Sequence, residues 1–87
     1  MKIFHTEKAK RDFQKLPVEI QKIVEKQFRL LLNNPSHPSI RIKKIEGTKN
    51  IWEGRITKSI RFTFQIIRDT YILRRIGKHN EVLRKPW

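Results

Sequence analysis

Arg55 and Arg61 stand six residues apart in a segment whose pattern sets them against each other. The stretch NIWEGRITKSIRFTFQI, residues 50–66, alternates as two strands do. Trp52, Gly54 and Ile56 share one face of the first strand; Ile51, Glu53 and Arg55 take the other. In the second strand Ile60, Phe62, Phe64 and Ile66 oppose Arg61, Thr63 and Gln65. The apolar faces coincide only when the loop between them is odd, because a one-residue slip turns every side chain over. A Thr57-Lys58-Ser59 loop pairs Ile56 with Ile60 and Trp52 with Phe64, and so pairs Arg55 with Arg61. Like charges directly opposite destabilise a strand pair. Glu53 neutralises them in part. A phosphate between them does so better, since each guanidinium offers it bidentate donors. The competing reading is two solvated arginines splayed apart.

The elements that must hold this pair are legible around it. Ile3 and Phe4 read as a short opening strand, and Thr6 as a helix N-cap. Ala9, Phe13 and Leu16 recur at helical spacing. Pro17 suits the start of a second helix, which carries Ile20, Ile23, Val24, Phe28 and Leu31 on one stripe and stops at Asn33-Asn34-Pro35. Residues 40–45, IRIKKI, alternate as a strand, with Ile40 and Ile42 on one face and Arg41 and Lys43 on the other. After the hairpin and a turn at Arg68-Asp69-Thr70 comes YILRRIGKH, a fifth strand, and then NEVLRKPW, a short tail. The order is β-α-α-β-β-β-β. It predicts an α+β domain over 1–87: a twisted antiparallel sheet, the helical hairpin on one face, the other face partly open.

Composition sharpens the partner class. The chain has 21 Lys+Arg against 8 Asp+Glu, a net charge of +13. Such an excess costs self-repulsion in the compact state and serves a polyanion: nucleic acid, an anionic membrane or an acidic protein. The charge is spread over helices and strands alike, which favours nucleic acid over a membrane surface. With no cysteine there is neither a disulfide nor a thiolate metal site. His5, His37 and His79 are scattered without an acidic cluster, so no metal site is expected. No apolar run approaches a membrane span or a signal peptide, and a cytoplasmic location follows as the expectation.

The frame Trp52-x-x-Arg55-Ile56-x-x-x-x-Arg61-Phe62, followed by Ile76-Gly77-x-His79, resembles the RelE/ParE superfamily of bacterial and archaeal toxins, nearest its RelE, YoeB and HigB ribonuclease branches. The likeness covers nearly the whole chain. It implies a concave basic sheet face, metal-independent cleavage of messenger RNA in the ribosome's decoding site, no cofactor, and inhibition by a cognate antitoxin presenting an acidic or amphipathic segment. Arg61 matches the arginine that stabilises the scissile phosphate, and Arg55 the second arginine of YoeB-like and HigB-like patterns. His79 falls where members carry a histidine or arginine serving as acid or phosphate ligand. Lys43 and Lys44 lie where the general base is found. The chain departs from the pattern in two places. It has no glutamate at Lys43, Glu46 being displaced, and it has Val82-Leu83 where several members have a tyrosine.

The resemblance assigns the catalytic set Arg61, His79, Arg55 and Lys43, with Arg41, Lys44, Lys58, Arg75, Lys78 and Arg84 on the RNA backbone. Metal-free cleavage needs a base at the 2′-OH, an acid at the leaving 5′ oxygen, and fixed positive charge at the phosphorane. The arginines supply the last, and His79 the acid, since imidazole is the side chain that exchanges its proton nearest neutral pH. Lys43 serves as base in a cationic cluster that disfavours its charge; as a solvated strand edge, Lys43 and Lys44 would only discourage edge pairing. Trp52 and Phe64 read as core in preference to base-stacking platforms, and Trp87 as a stacking group or a frayed end. Two alternatives stand beside the ribonuclease: a ParE-like toxin directed at gyrase, and a non-catalytic RNA-binding protein of the same fold.

Overall fold

The computed structural model describes residues 1–87. Its elements run β1 (Lys2–His5), α1 (Glu7–Gln14), α2 (Val18–Asn33), β2 (Lys43–Lys44), β3 (Trp52–Arg55), β4 (Ile60–Ile67), β5 (Thr70–Lys78) and α3 (His79–Arg84). Thr6 caps α1 as its type suggests, accepting from the Ala9 N–H at 3.2 Å while its own hydroxyl donates to the Leu73 carbonyl at 2.7 Å. The hairpin register is the one the apolar faces demand. Trp52 pairs with Phe64, Gly54 with Phe62 and Arg55 with Arg61.

The sheet order is β1-β5-β4-β3-β2. The α+β class holds, but the sheet is mixed and not wholly antiparallel, because β1 runs parallel to β5. The helical pair carries the chain from β1, at one edge, across to β2 at the other. The meander back through β3 and β4 then brings β5 alongside β1 in the same direction. Two strand readings also change. The segment at 40–45 is a strand only at Lys43–Lys44. Arg41 takes a left-handed φ of 50°, which breaks the alternation and sends Ile40 into the core. On β5, Thr63 pairs with Arg75 but Phe64 pairs with Leu73, so Arg74 is an extra residue, a β-bulge. The bulge lets Leu73 and Ile76, three apart, both face the helices.

The core forms on the helix side. Phe62 and Phe64 stack at 5.5 Å, Phe28 from α2 meets Phe62 edge-on at 5.1 Å, and Val24, Leu31, Leu73 and Ile76 close around them. Gly54 is there because Phe62 needs its space: a Cβ at Gly54 would lie 2.3 Å from the Phe62 ring.

The opposite face is less open than its sequence suggests. The tail is not free: α3 lies against β4 and β5, burying Val82 completely. Gly77 permits this approach, since a Cβ there would stand 3.2 Å from Val82. Thr63, fully buried, donates its hydroxyl to the Pro86 carbonyl at 2.5 Å. Beyond His5, where β1 ends, α1 takes over the edge of β5. Asp12 accepts from the Ile76 N–H at 3.0 Å and pairs with Arg75 Nε at 2.8 Å, which satisfies an edge donor that would otherwise be orphaned.

Candidate active site

The site grows from the β3–β4 loop. Three-residue loops favour a glycine, and this one has none. It is closed by side chains. Thr57 Oγ1 accepts from the backbone N–H groups of Ser59 and Ile60, at 3.3 and 3.1 Å. Arg61 Nη1 donates to the carbonyls of Thr57, Lys58 and Ile60, at 2.6, 3.0 and 3.3 Å. Arg61 therefore has a structural role in the loop that sequence reasoning did not find. Its Nη1 ties the loop, while Nε and Nη2, which form the bidentate side of the guanidinium, donate to no group of the chain.

The charges around Arg61 come from three strands and a loop. Burial lowers its pKa, Arg55 and Arg41 lower it further, and Glu53 opposes them. Arginine nonetheless stays charged at any working pH. Register places Lys43, Glu53, Thr63 and Arg75 in one row across the face and Arg55, Arg61 and Gly77 in the next. Glu53 is the acid of this face. It is 6% exposed, between Lys43 and Thr63, and forms no ion pair within 4.0 Å. Its neutralising effect is electrostatic and does not come from a salt bridge.

His79 joins the site through the backbone. Its N–H donates to the Ser59 carbonyl at 2.9 Å, which fixes the first residue of α3 against the loop that Arg61 ties. Gly77, two residues earlier, is Arg61's partner across β4 and β5. The ends of β3, β4 and β5 thus bring Arg55, Arg61 and His79 to one corner of the sheet, with Lys43 on the same face one row away. The other basic residues divide. Arg41 and Lys58 border this corner, and Arg84 is exposed on α3. Lys44 pairs with Trp52 and Lys78 with Ile60, so both sit in rows directed to the helix side of the sheet. Arg75 is held by Asp12 and, at 3.4 Å, by the Lys85 carbonyl. Lys44 and Lys78 therefore do not share the surface of the arginine pair, and Arg75, on that face one row away, is already engaged.

No family model and no curated protein sequence matches the chain. Solved structures do. A chain of the RelB–RelE antitoxin–toxin complex from Methanococcus jannaschii superposes with a TM-score of 0.75 at 22% identity, over 93% of this chain and 95% of that one. The YoeB/ParE toxin from Agrobacterium tumefaciens gives 0.75 at 17%, over 91% and 99%. YafQ from E. coli gives 0.73 at 13%, over 92% and 94%. The superpositions extend over nearly the full length of each, and the chain has the fold of these RelE/ParE-type toxins.

Proposed function

We propose that the chain is the toxin of a toxin–antitoxin pair and a metal-independent endoribonuclease that cleaves messenger RNA, on the ribosome, and so halts translation. The observation that carries this reading is the corner where an arginine with a free bidentate edge lies opposite a second arginine, beside His79. The fold shared with RelE, YoeB and YafQ toxins supports it.

The steps follow from the chemistry. A 2′-OH attacks the adjacent phosphorus as Lys43, in its neutral form, takes its proton. The phosphorane gains charge, which Arg61 Nε and Nη2 and Arg55 neutralise. The P–O5′ bond breaks as His79 gives its proton to the leaving oxygen, leaving a 2′,3′-cyclic phosphate and a 5′-OH. Loss of the acid or the base lowers the rate by about 10²–10⁴-fold. The antitoxin offers an acidic segment to a chain of net charge +13, and two further structural neighbours are RelB–RelE or RelBE2 complexes.

Induced expression with mapping of mRNA 5′ ends tests the reading. The wild type is expected to arrest growth and generate new 5′ ends within open reading frames. Arg61→Ala and His79→Ala, checked for folding by circular dichroism, are expected to do neither. A DNA-damage response without mRNA loss would point to gyrase instead and overturn the proposal.

A further inference from the structure

A second basic feature adjoins the corner and belongs to neither the sheet face nor the core. Between α2, the loop at 38–41 and the β3–β4 loop lies a cleft of about 510 Å³, within the roughly 300–1,000 Å³ of small-molecule sites. Four of its lining residues are cations, Lys26, Arg41, Arg55 and Lys58, and none is a carboxylate. They come from separate elements, so the cleft gathers charges that the sequence scatters over more than 30 positions (26 to 58). Arg41 reaches it from a left-handed backbone conformation that a residue with a Cβ adopts at a cost.

Gln27 adds a different chemistry. It is 4% exposed and lines the cleft. Its Nε2 donates to the Arg55 carbonyl at 2.8 Å and to the Ser39 carbonyl at 3.3 Å, uniting the three walls. Two carbonyl partners fix the amide's orientation, because only N–H can donate to them. Oε1 is left with no donor from the chain. A simple anion site has no use for a carbonyl oxygen among its cations, since that oxygen repels the ligand. A ligand carrying both a phosphate and a hydroxyl uses both. No aromatic ring lines the cleft, so a base finds no stacking platform there and the contacts fall on sugar and phosphate.

We infer that this cleft is a subsite for one ribonucleotide of single-stranded RNA, its phosphate held by the Lys26, Arg41, Arg55 and Lys58 cations and its ribose 2′-OH donating to Gln27 Oε1. The inference rests on the ribonuclease reading for its biological meaning and extends it, because Arg55 belongs to both the corner and the cleft. A nucleotide flanking the scissile phosphate would pass from one to the other. The subsite selects RNA over DNA by the hydroxyl and is indifferent to base identity.

Binding without cleavage tests it. The ¹⁵N-labelled full chain is titrated with adenosine 3′,5′-bisphosphate, with its 2′-deoxy counterpart and with inorganic phosphate. Saturable shifts are expected at the Gln27 side-chain amide and at Arg41 and Arg55 Nε. The ribose form should bind about 3- to 10-fold more tightly than the deoxy form, the worth of one hydrogen bond. In the Lys26→Ala/Lys58→Ala variant the affinity should fall, and the slope of log K against log salt for a ribo-oligonucleotide should shrink by no more than about 0.7, the share of one phosphate. Equal binding of both bisphosphates, binding no better than inorganic phosphate, or shifts confined to Arg61 and His79 would each overturn the inference. None of these outcomes bears on whether mRNA is cut, so the failure of one reading is distinguishable from the failure of the other.

Discussion

Replacing Gly54 with alanine places one methyl group where the Phe62 ring already lies. The new Cβ would meet Phe62 Cζ at 2.3 Å and Cε1 at 2.5 Å, whereas ordinary contact begins at 3.4 Å, so something must move by at least 1.1 Å (3.4 − 2.3). The ring has nowhere to go. Phe62 is fully buried, with Phe28 edge-on at 5.1 Å and Phe64 stacked at 5.5 Å. Overpacking of this kind costs about 1–3 kcal/mol. Exchanging glycine for alanine inside a strand returns no more than about 0.5–1 kcal/mol. The expected net loss is about 1–2 kcal/mol, or a fall in Tm of about 4–16 °C for a domain of this size. Thermal unfolding by circular dichroism measures it. In a Phe62→Leu background, where the shorter side chain frees the space, the same methyl should cost less, with a coupling of about 0.5–3 kcal/mol. A neutral or stabilising Gly54→Ala would mean that the ring does not cross this glycine. The hairpin register would then be wrong, and Arg55 would not face Arg61.

Asp12→Ala removes the partner of Arg75 and the acceptor of the Ile76 N–H, at 2.8 and 3.0 Å. Denaturant unfolding should show a loss of about 2–3 kcal/mol, below the figure for a fully buried pair because both side chains keep some contact with water. His5 predicts a pH dependence. Burial, with Lys10 nearby, lowers its pKa below the ordinary 6.5, so the unfolded chain takes up that proton first as the pH falls. Its contribution therefore leaves stability unaffected above about 6.5 and lowers it below. The drop in Tm between pH 7.5 and pH 5 should be smaller in His5→Gln than in the wild type, and an equal drop in both would contradict the assignment.

Much of this was legible because the core dictates it. The strand alternation in residues 50–66 has one register that buries Trp52, Phe62 and Phe64 together, and that register carries the arginine pair with it. Thr6 and the stripe from Ile20 to Leu31 located the helices for the same reason. What stayed hidden depends on contacts between distant segments. The parallel direction of β1 follows from how the helical pair returns the chain. The engagement of Arg75 needs Asp12, 63 residues away. The docking of α3 needs Thr63 and Pro86, and nothing in NEVLRKPW announces it apart from Val82. The bulge at Arg74 did leave a signal: Leu73 and Ile76 are three apart, which no unbroken strand can place on one face. In the site, the loop-tying role of Arg61 was missed because a loop without glycine was treated as a mild anomaly, when it was a demand for other hydrogen bonds. The cleft around Gln27 was missed because a glutamine inside an apolar helical stripe carries no motif.

The proposed chemistry turns on a single atom of the substrate. A defined mRNA is bound to ribosomes and exposed to the purified chain, intact or with one 2′-deoxy nucleotide at the mapped cleavage position. The 2′-OH mechanism predicts a 2′,3′-cyclic phosphate end on the intact message and no cut at the deoxy position, without added metal. Cleavage that proceeds through the deoxy position, or that leaves a 3′-OH, would contradict it.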